Sequence, residues 1–159
     1  MPEITVREAG PADRPFLIEC MAGLQAVECE MEPNRTAPDT AEVHLLSVLD
    51  EIEAHEGAAL VALLDGAPAG FLLCSIDEDS GFYVKPEFRR FGYVHDIFVT
   101  DAARGCGVAE SLMEAAEAHC RAKGVNHMRL FMLAGNERAR AFYERTGWAP
   151  YELSYRKPL

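Results

Sequence analysis

Val99-Thr100-Asp101-Ala102-Ala103-Arg104-Gly105-Cys106-Gly107-Val108-Ala109 is the stretch on which the reading of this chain turns. It joins an apolar run over 93–99, which reads as a strand, to residues 109–123, which read as a helix. In that helix Leu112, Ala116 and Cys120 share one side, and Glu110, Glu114, Glu117 and Arg121 the other. Gly124 closes the helix as a left-handed cap. Small residues at a helix entrance let a phosphate come close. The first N–H groups of the helix lack intrahelical partners, and the helix dipole favours negative charge there. Arg104 could add a charge-assisted contact. Two commoner phosphate loops are excluded by spacing. A P-loop needs Lys then Ser or Thr after its last glycine, and a dinucleotide fingerprint needs glycine where Glu110 stands. On these residues alone, a plain strand-to-helix connection remains open.

Outward from this turn, residues 3–8 alternate as a short strand, and Pro11-Ala12-Asp13 opens a helix with Phe16, Leu17, Cys20, Met21, Leu24 and Val27 as its apolar positions. A second helix is predicted over 39–55, with Val43, Leu46, Leu49 and Ile52 on one face. The runs 58–64 and 69–76 surround Asp65-Gly66-Ala67-Pro68 and read as a hairpin. Residues 82–91 either extend it or form a loop. Downstream, 128–133 reads as a strand, 136–146 as a helix capped by Asn136 and closed by Gly147, and 151–156 as a last strand.

The chain has 159 residues, 49% of them apolar and 26% charged, which suits one globular domain over 1–159 and opposes disorder. The net charge of -11 disfavours nucleic acid and favours cationic partners such as amines. No apolar run reaches the ~18 residues of a membrane span, and residues 1–8 read as part of the fold. The five cysteines are odd in number and lack metal or redox spacing, so reduced thiols, no metal and a cytoplasmic setting are expected.

Arg104-x-x-Gly107-x-Ala109 resembles the Arg/Gln-x-x-Gly-x-Gly/Ala signature of the GNAT superfamily of N-acetyltransferases. Asn136-x-x-Ala139-x-x-Phe142-Tyr143-x-x-x-Gly147-Trp148 resembles its Asn-x-x-Ala-x-x-x-Tyr-x-x-x-Gly-Phe segment, with Trp for Phe. The two lie 26 residues apart, with one helix and one strand between. The resemblance implies an α/β (α+β) fold. Its sheet is mixed, mostly antiparallel and of six or seven strands, with about four flanking helices and strands splayed at an acetyl-CoA site.

It also implies roles. Backbone N–H groups from Gly105, Cys106, Gly107, Val108, Ala109 and Glu110, with Arg104, would hold the pyrophosphate. Ile97, Phe98 and Val99 would run beside the pantetheine arm, where a bulge near Phe98 could aim an N–H at the acetyl carbonyl. Asn136 and Ala139 join the donor site, Asn136 as cap, cofactor contact or both. Tyr143 holds the general-acid position. On the acceptor side, His95 matches the place of a glutamate in the polyamine-acetylating branch, and an imidazole there suits a base. Alternation puts Asp96 on the opposite face from His95. Cys106 between its glycines is too far from the thioester to serve as nucleophile.

Residues 28–56 carry nine acidic side chains against Arg35, an acidic wall for a cationic acceptor or a solvated helix face. Glu28 is the member that resembles the polyamine branch. Residues 82–91 oppose this with Lys85, Arg89 and Arg90 among four aromatics. They could take an acidic acceptor, pack on a second subunit, or protect an edge. The expected partners are a small amine acceptor and a second copy in a homodimer. The alternatives are a non-catalytic acyl-CoA sensor and an enzyme acting on a protein or peptide amine.

Overall fold

In the computed structural model, which describes residues 1–159, strands β1 (Ile4–Glu8), β2 (Ala58–Leu64), β3 (Ala67–Glu78), β4 (Arg90–Val99) and β5 (Met128–Leu130) lie side by side in chain order. The first four are antiparallel, and β5 joins β4 in parallel. Helices α1 (Arg14–Met31) and α2 (Ala41–Ala54) cover one face; α3 (Val108–Ala122) covers the other. The mixed, mostly antiparallel sheet with four helices (α4 is Glu137–Arg145) is the fold expected, with five strands in place of six or seven.

Both faces of β3 are covered, so its central run is apolar without alternation. Leu72 and Cys74 turn to the α3 core with Leu60, Leu112 and Ala116, while Phe71 and Leu73 turn to the α1/α2 core with Leu17, Met21 and Leu45. The α2 stripe differs from the one predicted. Ala41, Leu45, Val48 and Ile52 are buried, whereas Val43 is 73% exposed. Two apolar stripes compete on this helix, and the one whose 4-3-4 spacing follows the helical repeat faces the sheet.

Two further expectations fail at the C-terminal side. The strand predicted over 128–133 stops at Leu130, and 151–156 joins no ladder. β5 pairs only with Gly92, Tyr93 and Val94, so the chain beyond it has no neighbour to bond. Tyr151, Leu153 and Tyr155 are accordingly exposed. The surface, 10098 Å², exceeds the roughly 7,900 Å² that area scaling gives for this mass.

One carboxylate ties β1 to the start of α1. Asp13 accepts from both guanidinium nitrogens of Arg7, at 2.7 and 3.0 Å, and from the Gly10 N–H at 2.7 Å. Chiefly through Arg7, its carboxyl is held down at about 2. A lowered folded-state pKa stabilises above the unfolded value, and that stability is lost as pH falls through the folded one. Asp13→Asn should cost roughly 1–3 kcal/mol at neutral pH. In thermal melts the gap from wild type should close as pH drops from about 4 towards 2.

Candidate active site

The site begins with one extra residue in β4. The β3–β4 register runs Cys74↔Val94, then Leu73↔Asp96, so His95 is the bulge. Its first effect is on the side chains. Before the bulge Val94 faces α3; after it Ile97 and Val99 do. His95 and Asp96 therefore share the α1/α2 face, correcting the opposite-face expectation. His95 Nε2 lies 2.7 Å from Ser75 Oγ, and Asp96 Oδ2 lies 3.6 Å from His44 Nε2 of α2.

The second effect is on the sheet. Pairing with β5 ends at Val94, and beyond the bulge the outer edge of β4 is free. The Thr100 N–H donates to Ala69 O at 2.9 Å. Antiparallel alternation then gives Phe98 to the bonded side and leaves the N–H groups of Ile97 and Val99 on the free edge. The bulge expected near Phe98 is thus three residues earlier, and the free donors flank Phe98.

A cleft of about 800 Å³ opens along that edge. Leu24, Val27, Glu28 and Met31 of α1 form one wall, and Asn136, Ala139, Phe142 and Tyr143 of the α4 segment another. The glycine turn closes one end. Gly105 and Gly107 have φ of +77° and +88°, which glycine adopts without strain. The N–H groups of Gly105, Gly107, Val108, Ala109 and Glu110 donate to no group of the chain. Five neighbouring orphan donors at a helix start fit an anion such as the acetyl-CoA pyrophosphate.

Every sequence-predicted site residue lines this cleft except Cys106, whose Sγ turns back towards Arg104 O at 3.9 Å. Arg104 is ion-paired with Asp101 and lies 5.9 Å from the Phe98 ring centroid. Asn136 caps α4 by accepting from the Ala139 N–H at 3.0 Å. Of the nine acidic residues over 28–56, Glu28 alone lines the cleft. Residues 82–91 line none of it. Phe82 and Tyr83 are exposed, Arg89 donates to Val84 O, and Arg90 bonds Glu56 and Lys123 O.

Burial sets the proton affinities. It pushes the Tyr143 phenol up to about 12. The ring packs between Phe142 and Trp148, at 5.4 and 5.9 Å, and its hydroxyl bonds nothing in the chain. Burial also lowers His95, although Asp77, Asp96 and Glu51 pull the other way, and it raises Glu28. His44 is raised, first by Asp96. His44 and Ser75 escape sequence reading: one sits in a helix with no motif, the other within an apolar strand.

Residues 24–148 match the acetyltransferase (GNAT) family. This chain belongs to that family. An uncharacterized N-acetyltransferase of Archaeoglobus fulgidus is 32% identical over 84 residues, 53% of this chain and 54% of that protein. The chain spans about half the length of the curated relatives it matches. An aminoglycoside 6'-N-acetyltransferase from Acinetobacter haemolyticus superposes with a TM-score of 0.74 at 18% identity, over 98% of this chain and 99% of that one. The aminoglycoside acetyltransferase AAC(6')-Iy, solved with the bisubstrate analogue CoA-S-monomethyl-acetylneamine, gives 0.70 at 20% identity over 99% of both. At such identities the likeness is one of fold.

The GNAT turn can be tested directly. Gly107→Val brings a side chain and a strained positive φ among the orphan donors. It should weaken acetyl-CoA binding about tenfold or more in calorimetry. Gly66→Val has the same strain, at φ +82°, but lies in the β2–β3 turn, and should bind as wild type.

Proposed function

We propose that this GNAT protein transfers the acetyl group of acetyl-CoA to the primary amine of a small cationic acceptor, directly, with both substrates bound. The observation that carries the reading is a single cleft that brings together five orphan N–H donors, an unpartnered tyrosine hydroxyl, and the carboxylates Glu28 and Asp96. Asp96 Oδ2 is buried with His44 Nε2 at 3.6 Å, beyond hydrogen-bond distance, so the oxygen keeps capacity to accept from an ammonium.

Acetyl-CoA supplies an activated thioester. The glycine turn holds its pyrophosphate, and the free edge of β4 at Ile97 and Val99 orients its arm. Glu28 and Asp96 draw the cationic acceptor to the α1 wall. An acceptor ammonium yields two protons over the reaction: one to His95, whose half-buried imidazole is biased towards the neutral form that can receive it, and one that ends on the departing thiol by way of Tyr143. Tyr143, its proton held by burial, is the acid. Cys106 lies outside the cleft, which favours direct transfer over an acyl-cysteine route. The aminoglycoside acetyltransferases of like fold support a polyamino acceptor.

Thiol release from acetyl-CoA with a panel of cationic, neutral and acidic amines tests the reading, and turnover should favour diamines and polyamines. Tyr143→Phe should lower kcat by about 10²–10⁴-fold with acetyl-CoA affinity unchanged. Glu28→Gln should raise KM for the best amine roughly tenfold and leave that of acetyl-CoA in place. A preference for acidic amines would refute the cationic acceptor.

A further inference from the structure

We propose that Ser75 and Asp77 form a relay that fixes the tautomer of His95, with the hydrogen on Nε2 and the lone pair of Nδ1 left to receive the acceptor's proton. The proposal rests on the reading of His95 as base. Ser75 lies fully buried in the middle of β3, and its hydroxyl has two partners in the chain: Asp77 Oδ1 at 2.7 Å and His95 Nε2 at 2.7 Å. A hydroxyl carries one hydrogen, and a carboxylate accepts but does not donate. The hydrogen of Ser75 therefore goes to Asp77. Its oxygen can then only accept from His95, so Nε2 bears the hydrogen. In a neutral imidazole Nδ1 is then the basic atom, and Nδ1 bonds nothing in the chain.

Register makes this contact possible. Ser75 pairs across the sheet with Tyr93, and His95, two residues further along β4, lies diagonal to Ser75 on the same face; the bulge then turns Asp96 to that face as well. The Tyr93 ring stands edge-on to the imidazole at 4.7 Å and restricts its rotation. The ionisable groups that face His95 are Asp77 on β3, Tyr93 and Asp96 on β4, and His44 and Glu51 on α2. Of these, Asp77 is the one joined to the ring by a hydrogen-bonded chain.

In the proton step the ammonium N–H bond breaks and the Nδ1–H bond forms. The imidazolium keeps its Nε2–H on Ser75 and later gives the Nδ1 proton to water in the open cleft. Ser75 and Asp77 touch neither substrate, so they are positioning residues. A tautomer left unfixed would put a hydrogen on Nδ1 in part of the molecules, and those could not accept.

Long-range ¹H–¹⁵N correlation of histidine-labelled protein, above the His95 titration, reads the tautomer without turnover. Wild type should give Nε2–H. Ser75→Ala, which only removes an atom, should give a mixture, shift the acidic limb of kcat/KM, lower kcat/KM about tenfold and leave the acetyl-CoA KM unchanged. Asp77→Asn keeps the shape but lets the amide donate to Ser75, which can then donate to Nε2. It should move the population towards Nδ1–H with a parallel loss of kcat/KM. An Nδ1–H tautomer in wild type, or a wild-type tautomer and pH profile in both variants, overturns the relay. A wild-type pH profile in His95→Ala overturns the base role independently, whatever the tautomer.

Discussion

The extra residue at His95 in β4 is the constraint from which the site follows. A strand alternates with period two, so one inserted residue turns everything after it to the other face. Without the insertion Asp96 would lie among the apolar residues under α3, and His95 would stand opposite Leu73. With it, both polar side chains meet the α1/α2 face, where Ser75, His44 and Glu28 have no covalent reason to be neighbours. The same insertion ends the pairing with β5 and opens the edge along which the cleft runs. One backbone irregularity thus shapes both the free strand edge and the polar face beside it.

Burial then acts in the same direction on two groups of opposite type. Desolvation disfavours whichever form is charged. For Tyr143 that form is the phenolate, so the proton is held; for His95 it is the imidazolium, so the neutral ring is favoured. Three carboxylates near His95 oppose the effect without overcoming it. A phenol kept protonated beside an imidazole kept neutral is the arrangement that the proposed transfer to an amine would use.

Part of the acidity of the chain is engaged in ion pairs. Glu56 braces Arg90 and Lys123, Glu110 bridges to Arg145 of α4 at 2.7 Å, and Glu32 meets Arg156 at 2.9 Å. These exposed pairs are worth little individually. On the α1 and β4 walls of the cleft the carboxylates are Glu28 and Asp96, and a partly buried carboxylate keeps its field where water would screen an exposed one.

The glycine turn and the order of elements up to α4 were legible from the sequence because they rest on local chemistry, and the family segments because they resemble a known pattern. Gly105 and Gly107 are needed for positive φ, Asn136 for a cap, and apolar periodicity for α1 and α3. Tyr143 is marked out by its match to the second family segment, and the turn by its small residues together with the first. The bulge was not legible at His95, because nothing in Tyr93-Val94-His95-Asp96 distinguishes an inserted residue from regular alternation; the register is decided by packing on β3. For the same reason the strand expected over 151–156 failed: its alternation is local, but a strand exists only where a neighbour offers hydrogen bonds, and β5 is too short to offer them. Ser75 reads as a strand residue and His44 as a helix residue. Only the fold sets one against His95 and the other against Asp96, since side-chain contacts across 20 and 52 residues of chain are made by tertiary packing and by nothing nearer.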